Sequence, residues 1–322
     1  MTKSKRLSII IPVFFNSENL YHLYSEIQEE VINRIPAETE IIFIDDGSED
    51  DSWDILTSIA AEHIEVQAIR LSRNFGSHAA ILCGLSHASG DCAVIKAADS
   101  QEPCEIIPQM FAEWEKGNNV VLAVREGRDD SAGTTAFADF YYWFVSKIAL
   151  PSMPQRGFDI YLIDRKVINV LELMDEANSA LTAQILWSGF KTATVNYHRL
   201  ARTSGKSRWT FHKKVKLFSD TVFSFTSLPI RLITILGFLS TIGAIIWAIV
   251  ALAARLSGMI IIQGWTTSFI FNLFSFGVIM LTLGLLGGYL WRTFEASRNR
   301  PIYIVEDEVS RPDTTIKQSE EV

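Results

Sequence analysis

Three polar clusters each follow an apolar run: Asp45-Asp46-Gly47-Ser48, Arg73-Asn74 and Asp99-Ser100-Gln101. Carboxylates and amide oxygens gathered in this way suit a hard divalent cation, which in turn neutralises a diphosphate. Asp45 or Asp46 suits the hydrogen-bonding edge of a nucleobase or ribose. Each cluster also has a plainer reading. Asp45 to Ser48 has the composition of a turn and helix N-cap. Asp99 to Pro103 fits a capped turn with proline at the first helical position, and Arg73 fits a surface cation. Finding all three on one edge of a sheet favours the chemical reading.

The elements that must position them follow from periodicity. Residues 7–13, 40–44, 66–71, 92–97 and 120–124 are short apolar runs that predict strands. Residues 20–35, 53–63 and 79–88 have helical spacing between them. Alternation of this kind implies a doubly wound, mostly parallel sheet, whose ligands gather at the carboxyl ends of the strands. The three clusters fall in order after the second, third and fourth predicted strands.

A net charge of -8 over 322 residues argues against a nucleic-acid partner. The basic residues concentrate instead between Lys206 and Lys216, just ahead of a hydrophobic stretch, as in a segment facing a membrane. Cys83, Cys92 and Cys104 have no metal-ligand spacing and read as buried thiols in a reducing compartment. The apolar run after Met1–Arg6 is too short for a secretory signal.

No charge occurs between Arg231 and Arg255, nor between Arg255 and Arg292. Each interval exceeds the ~20 apolar residues that cross a bilayer core, so two transmembrane helices are expected. Trp265 and Trp291 bracket the second and suit its two interfaces. Lys213, Lys214, Lys216 and Arg231 flank the pair on one side, and Arg292, Arg298 and Arg300 on the other. The positive-inside bias therefore puts both ends in the cytosol. Phe211 to Phe225 interleaves aromatics with lysines, as in an amphipathic helix on the inner leaflet. Gly284, Gly287 and Gly288 form a small-residue face for helix contact within the hairpin or between subunits.

The blocks IIIPVFFNSENL, IIFIDDGSEDDS, LSRNFGSHAAILCGL and AADSQEPCEIIPQM resemble, in order, the signatures of family 2 glycosyltransferases with the GT-A fold. RTSGKSRWTF, SLPIRL, the hairpin and RPIYIV are similar to the polyprenyl-phosphate subgroup. That subgroup includes dolichol-phosphate mannose synthases and bacterial enzymes that load glucose or related sugars onto undecaprenyl phosphate. The resemblance spans roughly residues 7 to 305. With the hydropathy pattern it divides the chain into a cytosolic GT-A domain (1–205), an amphipathic juxtamembrane segment (206–228) and two transmembrane helices (229–254 and 265–292). A short non-cytosolic loop (255–264) joins the helices, and a cytosolic tail with a disordered end (293–322) closes the chain.

The resemblance implies that Pro12, Asp45, Asp46, Arg73 and Asp99 bind a nucleotide sugar, with a UDP-sugar favoured. Asp99 and Gln101 would hold Mg²⁺ or Mn²⁺. Arg199, Arg202, Ser207 and Arg208 would hold the acceptor phosphate, and Asp99, Asp159 and Arg202 form the catalytic set. Five positions depart from the family pattern. Ala97 replaces the first Asp of the DxD motif, Phe15-Asn16 replaces Asn-Glu, Tyr161 replaces an Arg, and Gly288 replaces a Glu. Weaker metal affinity or altered donor contacts follow from the first of these.

The implied activity is transfer of a sugar to undecaprenyl phosphate at the cytosolic leaflet of a bacterial inner membrane, by inverting displacement. Its product would be a lipid-linked sugar for cell-envelope glycan modification. Alternatives are a different lipid or glycan acceptor, or a catalytically weak paralogue acting as a membrane partner. The glycine face and the resemblance favour a homo-oligomer, with a tetramer as the subgroup's example.

Overall fold

The computed structural model describes residues 4–99, 101–125, 143, 145–149, 153–154, 157–174, 180–198, 222–223, 226–257, 265–298 and 300–310. They form two units, Met1–Leu217 with Pro301–Val322, and Phe218–Arg300.

The first unit is built on a sheet of eight strands in the order β7-β5-β6-β4-β1-β2-β3-β8. Strands β1 (Arg6–Val13), β2 (Glu38–Asp45), β3 (Val66–Leu71) and β4 (Cys92–Ile95) run parallel at its centre. The predicted strands coincide with these, except that β4 stops at Ile95 and releases Lys96 and Ala97 into the following loop. β5 (Val120–Arg125) and β7 (Thr192–Tyr197) are parallel to each other, and β6 (Phe158–Asp164) runs antiparallel between β4 and β5. β8 (Val305–Ser310) is antiparallel to β3 and forms one edge. The sequence reading has a tail at 293–322 where the structure places this strand; its exposed, acidic composition gave no apolar signal. The whole is a doubly wound α/β sheet, mostly parallel, of GT-A type.

The central strands are apolar on both faces because helices cover both. Leu7, Ile9, Ile11 and Val13 share a core with residues of α1 (Leu20–Ile27), α2 (Ser52–Glu62) and α4 (Ile106–Glu115). On the opposite face α3 (Ser77–His87) lies so close that a Cβ on Gly84 would meet Ile10 Cγ2 at 2.5 Å. Helices α5 (Arg165–Glu172) and α6 (Leu181–Trp187) follow β6. Ser8, a hydroxyl inside apolar β1, is satisfied by donating to Glu40 Oε1 at 2.5 Å and accepting from the Gly90 N–H at 2.9 Å. The three cysteines are free and buried, and burial raises all three thiols, Cys83 to about 12.

The second unit contains α7 (Leu228–Leu256) and α8 (Trp265–Ser297). Both are long and apolar enough to cross a membrane, with mean hydropathies of 2.4 and 1.9 over Leu228–Ala254 and Phe271–Ser297. None of either apolar window is buried, whereas the core helix of a soluble protein would be mostly buried. Phe238, Trp247 and Leu290 are among the exposed side chains. A Cβ on Gly284 or Gly287 would meet nothing within 4 Å, so these two glycines mediate no close contact with α7. Gly288 faces Phe223, whose ring stacks edge-on with Tyr289 at 5.2 Å and lies under the Arg292 guanidinium at 5.1 Å. Most of the predicted amphipathic segment, residues 206–221 and 224–225, lies outside the described residues.

Candidate active site

The carboxyl ends of β1, β2 and β3 make one half of the site. Pro12 pairs with Ile44 of β2, but the ladder with β4 ends at Ile10, so its missing N–H leaves no gap on that side. Beyond β1, Phe15 adopts a positive φ of 56°, uncommon for a residue with a side chain. Its N–H donates to Ser48 Oγ at 3.0 Å, and Asn16 Oδ1 accepts from the Phe14 N–H at 3.2 Å. Gly47 also has positive φ, and a Cβ there would stand 2.6 Å from the Arg73 backbone. The β2 and β3 loops therefore touch only because residue 47 has no side chain.

Asp45 and Asp46 are both buried, yet they do different work. Asp46 uses both oxygens on the following loop, accepting from the Phe75 N–H at 2.7 Å and the Gly76 N–H at 2.9 Å. Asp45 accepts from the Ser48 N–H at 3.1 Å through Oδ1. Its Oδ2 has no hydrogen-bond partner among the described residues; the nearest cation is Arg70, with Nε 3.7 Å away. Burial raises both carboxyls above the usual range; backbone N–H groups oppose it at each, aided by the Ser48 hydroxyl at Asp45. Of the two, only Asp45 keeps a buried oxygen that no hydrogen bond occupies among the described residues.

Arg73 is exposed, donates to Asn74 O at 3.1 Å and stacks on Phe75 at 3.9 Å. The arginine that reaches Asp45 is Arg70, inside β3, which the sequence reading passed over. Its place in an apolar strand was the available signal.

The end of β4 supplies the second half. Asp99 Oδ1 accepts from the Gln101 N–H at 3.3 Å, closing a short turn. Before it, Lys96 is completely buried and donates to Ala97 O at 3.5 Å. Ala97 is thus preceded by a fully buried lysine, a second residue the sequence reading missed. Among the described residues no three His, Cys, Asp or Glu side chains could together hold a cation. One carboxylate and one amide, Asp99 and Gln101, fit a cation already ligated by a diphosphate, not one held by protein alone.

Because β6 is reversed, its first residues lie at the same edge as the last residues of β4, β5 and β7. Asp159 is therefore beside Arg125 and Tyr197. The Arg125 guanidinium pairs with it through both Nε and Nη2, and Tyr197 Oη donates to Oδ2 at 2.8 Å. Burial works against the charged guanidinium, but Asp159 prevails and the net shift of Arg125 is upward. Burial and the Asp159 charge together raise Tyr197. Tyr161 is buried edge-on against Phe158 at 5.7 Å, so it offers no cation where the family has one. The remaining predicted residues, Arg199, Arg202, Ser207 and Arg208, lie outside the described residues. A cavity of about 510 Å³ beside Tyr197 is lined by Glu26, Glu30 and Glu105, a sign of charge unsuited to a phosphate.

The mostly parallel, doubly wound sheet with acidic residues at its strand ends matches the architecture expected of the GT-A class. The chain belongs to glycosyl transferase family 2, whose model matches residues 8–174. It is 32% identical over 310 residues to the uncharacterized glycosyltransferase YkcC of Bacillus subtilis, covering 95% of each chain. It is 31% identical over 305 residues to the bactoprenol glucosyl transferase of Shigella phage SfV, covering 94% of this chain and 99% of that one. Among solved structures, the mannosyltransferase PcManGT from Pyrobaculum calidifontis is similar at a TM-score of 0.45 and 15% identity, covering 88% of each chain.

Proposed function

We propose that this enzyme transfers a sugar from a nucleotide-sugar donor, a UDP-sugar in first place, to undecaprenyl phosphate or a related polyprenyl phosphate. The observation that carries the reading is the end-to-end match to a bactoprenol glucosyl transferase, which takes in the apolar helix pair as well as the sheet. A lipid acceptor gives that helix pair a purpose. The proposed setting is a bacterial inner membrane, with catalytic domain and both termini cytosolic and the chain self-associated.

In the proposed reaction an acceptor phosphate oxygen bonds to the anomeric carbon as the bond from that carbon to the donor diphosphate breaks. The electron pair leaves with the nucleoside diphosphate, and the anomeric configuration inverts. A phosphate monoester has a second pKa of ~6, so the nucleophile is already an anion at neutral pH. No general base is needed, which agrees with Asp159 being ion-paired to Arg125. Asp45 receives the base edge, and Asp99 with Gln101 would hold Mg²⁺ or Mn²⁺ when the donor diphosphate is bound. Such a cation supplies Lewis-acid neutralisation of the leaving group. Arg199, Arg202, Ser207 and Arg208 receive the acceptor phosphate, for which guanidinium forks are suited.

Purified protein incubated with undecaprenyl phosphate and a panel of UDP-, GDP- and CDP-sugars, with products read by mass, tests this. A prenyl-phosphate sugar is the expected product. A catalytically weak paralogue is the second reading, favoured by Ala97, and it predicts product only after Ala97→Asp.

A further inference from the structure

We infer that Glu306, on the strand that follows the two apolar helices, is a positioning residue for the nucleotide pocket and acts through Arg70. The inference rests on the proposed role of Asp45 as the nucleobase contact. Arg70 Nε stands 3.7 Å from Asp45 Oδ2 and 3.7 Å from Glu306 Oε2. At that distance both are ion pairs and neither is a hydrogen bond. The Asp45 carboxylate is fully buried and Glu306 is half-exposed. Charges attract more strongly away from water, so a guanidinium with no competitor would close onto Asp45. Glu306 Oε2, equally far from Nε, competes for the guanidinium.

The backbone is arranged to produce this. Arg70 pairs with Asp307 and Leu71 with Val305, so the register of β3 and β8 shifts there and Glu306 is the extra residue of a bulge. A bulge re-aims a side chain that regular pairing would direct elsewhere. On either side the strand is pinned: Gln67 Nε2 donates to Glu308 Oε1 at 2.7 Å, and the Ser72 N–H to Ile304 O at 2.9 Å. Arg70 is further held by donating to Ser48 O at 3.3 Å and by lying over Trp53 at 5.8 Å. Asp45 Oδ2 is thereby partly neutralised and, though buried, makes no hydrogen bond among the described residues, so its acceptor is uncommitted for the N–H that a uracil or guanine edge presents.

Binding of UDP, GDP and CDP, with Mg²⁺, to the full chain in detergent micelles tests the inference. Glu306→Gln is expected to weaken binding of the preferred nucleotide by roughly two- to fivefold with no change in thermal midpoint. In an Arg70→Met background the same substitution is expected to have no further effect. Unchanged or tighter binding by Glu306→Gln overturns the inference, as does an equal loss in the Arg70→Met background. Asp45→Asn separates the two levels. If it binds as wild type does, or if wild type binds none of the three nucleotides, the reading of Asp45 falls and the inference with it. If Asp45→Asn binds weakly while Glu306→Gln binds normally, the inference alone falls.

Discussion

Tyr197 Oη donates to Asp159 Oδ2 at 2.8 Å, joining the last residue of β7 to the second residue of β6. Asp159 also pairs with Arg125 at the end of β5, so three strands are tied at the edge where the donor diphosphate is proposed to lie. The carboxylate is occupied on both oxygens. With both oxygens engaged by Arg125 and Tyr197, the proposed part of Asp159 is to hold these two side chains and not to accept a proton.

Asp159→Asn is expected to destabilise the protein by about 3 kcal/mol, because it leaves the mostly buried Arg125 without a counter-charge. Arg125→Met should cost a similar amount, and the double variant should cost much less than their sum. Thermal or denaturant unfolding of the three variants checks this. The pH profile of the residual activity of Asp159→Asn should match that of wild type, whereas loss of an acidic limb would make Asp159 a base after all.

Ala97→Asp is expected to lower the half-saturating concentration of Mg²⁺ or Mn²⁺ by at least about tenfold, since a second carboxylate near Asp99 adds Coulomb attraction for a dication. Asp99→Asn should raise it. A metal titration of initial rates measures both, and an Asp99→Asn curve that overlies wild type would remove Asp99 from the cation.

Burial raises the pKa of Asp45 from its ordinary 3.8, so the folded state holds that proton more tightly than the unfolded chain does. The stability this group contributes is full below pH 3.8 and is lost as pH rises through the folded value. Asp45→Asn keeps an oxygen for the Ser48 N–H but carries no charge. Its unfolding midpoint relative to wild type should therefore improve as pH rises from 3.8 to neutrality, while nucleotide affinity falls. A midpoint difference that is flat with pH would contradict this.

Arg202→Ala or Arg208→Ala should raise the KM for the polyprenyl phosphate roughly tenfold or more, the scale of one lost charge-assisted hydrogen bond. The donor KM should stay nearly unchanged. Collapse of donor binding would move the basic segment from the acceptor side to the donor side.

Much of the site is legible without a structure because its signals are local. A run of apolar residues ending in Asp45 or Asp99 reports a buried strand and the polar edge beyond it. An uncharged stretch from Arg231 to Arg255 reports a helix with no soluble core to bury it. These readings need only periodicity, length and charge, which neighbouring residues carry. What tertiary structure alone decided depends on pairing between distant segments. Asp45 and Asp46 are adjacent and chemically alike, yet only the approach of Phe75 and Gly76 occupies Asp46 and leaves Asp45 an open oxygen. The reversal of β6 delivers Asp159 to Arg125, and no local pattern encodes the direction in which a strand enters a sheet. The acidic segment after α8 has no apolar period, so its return to β3, with Glu306 set against Arg70, follows from backbone pairing at an edge that water already half solvates.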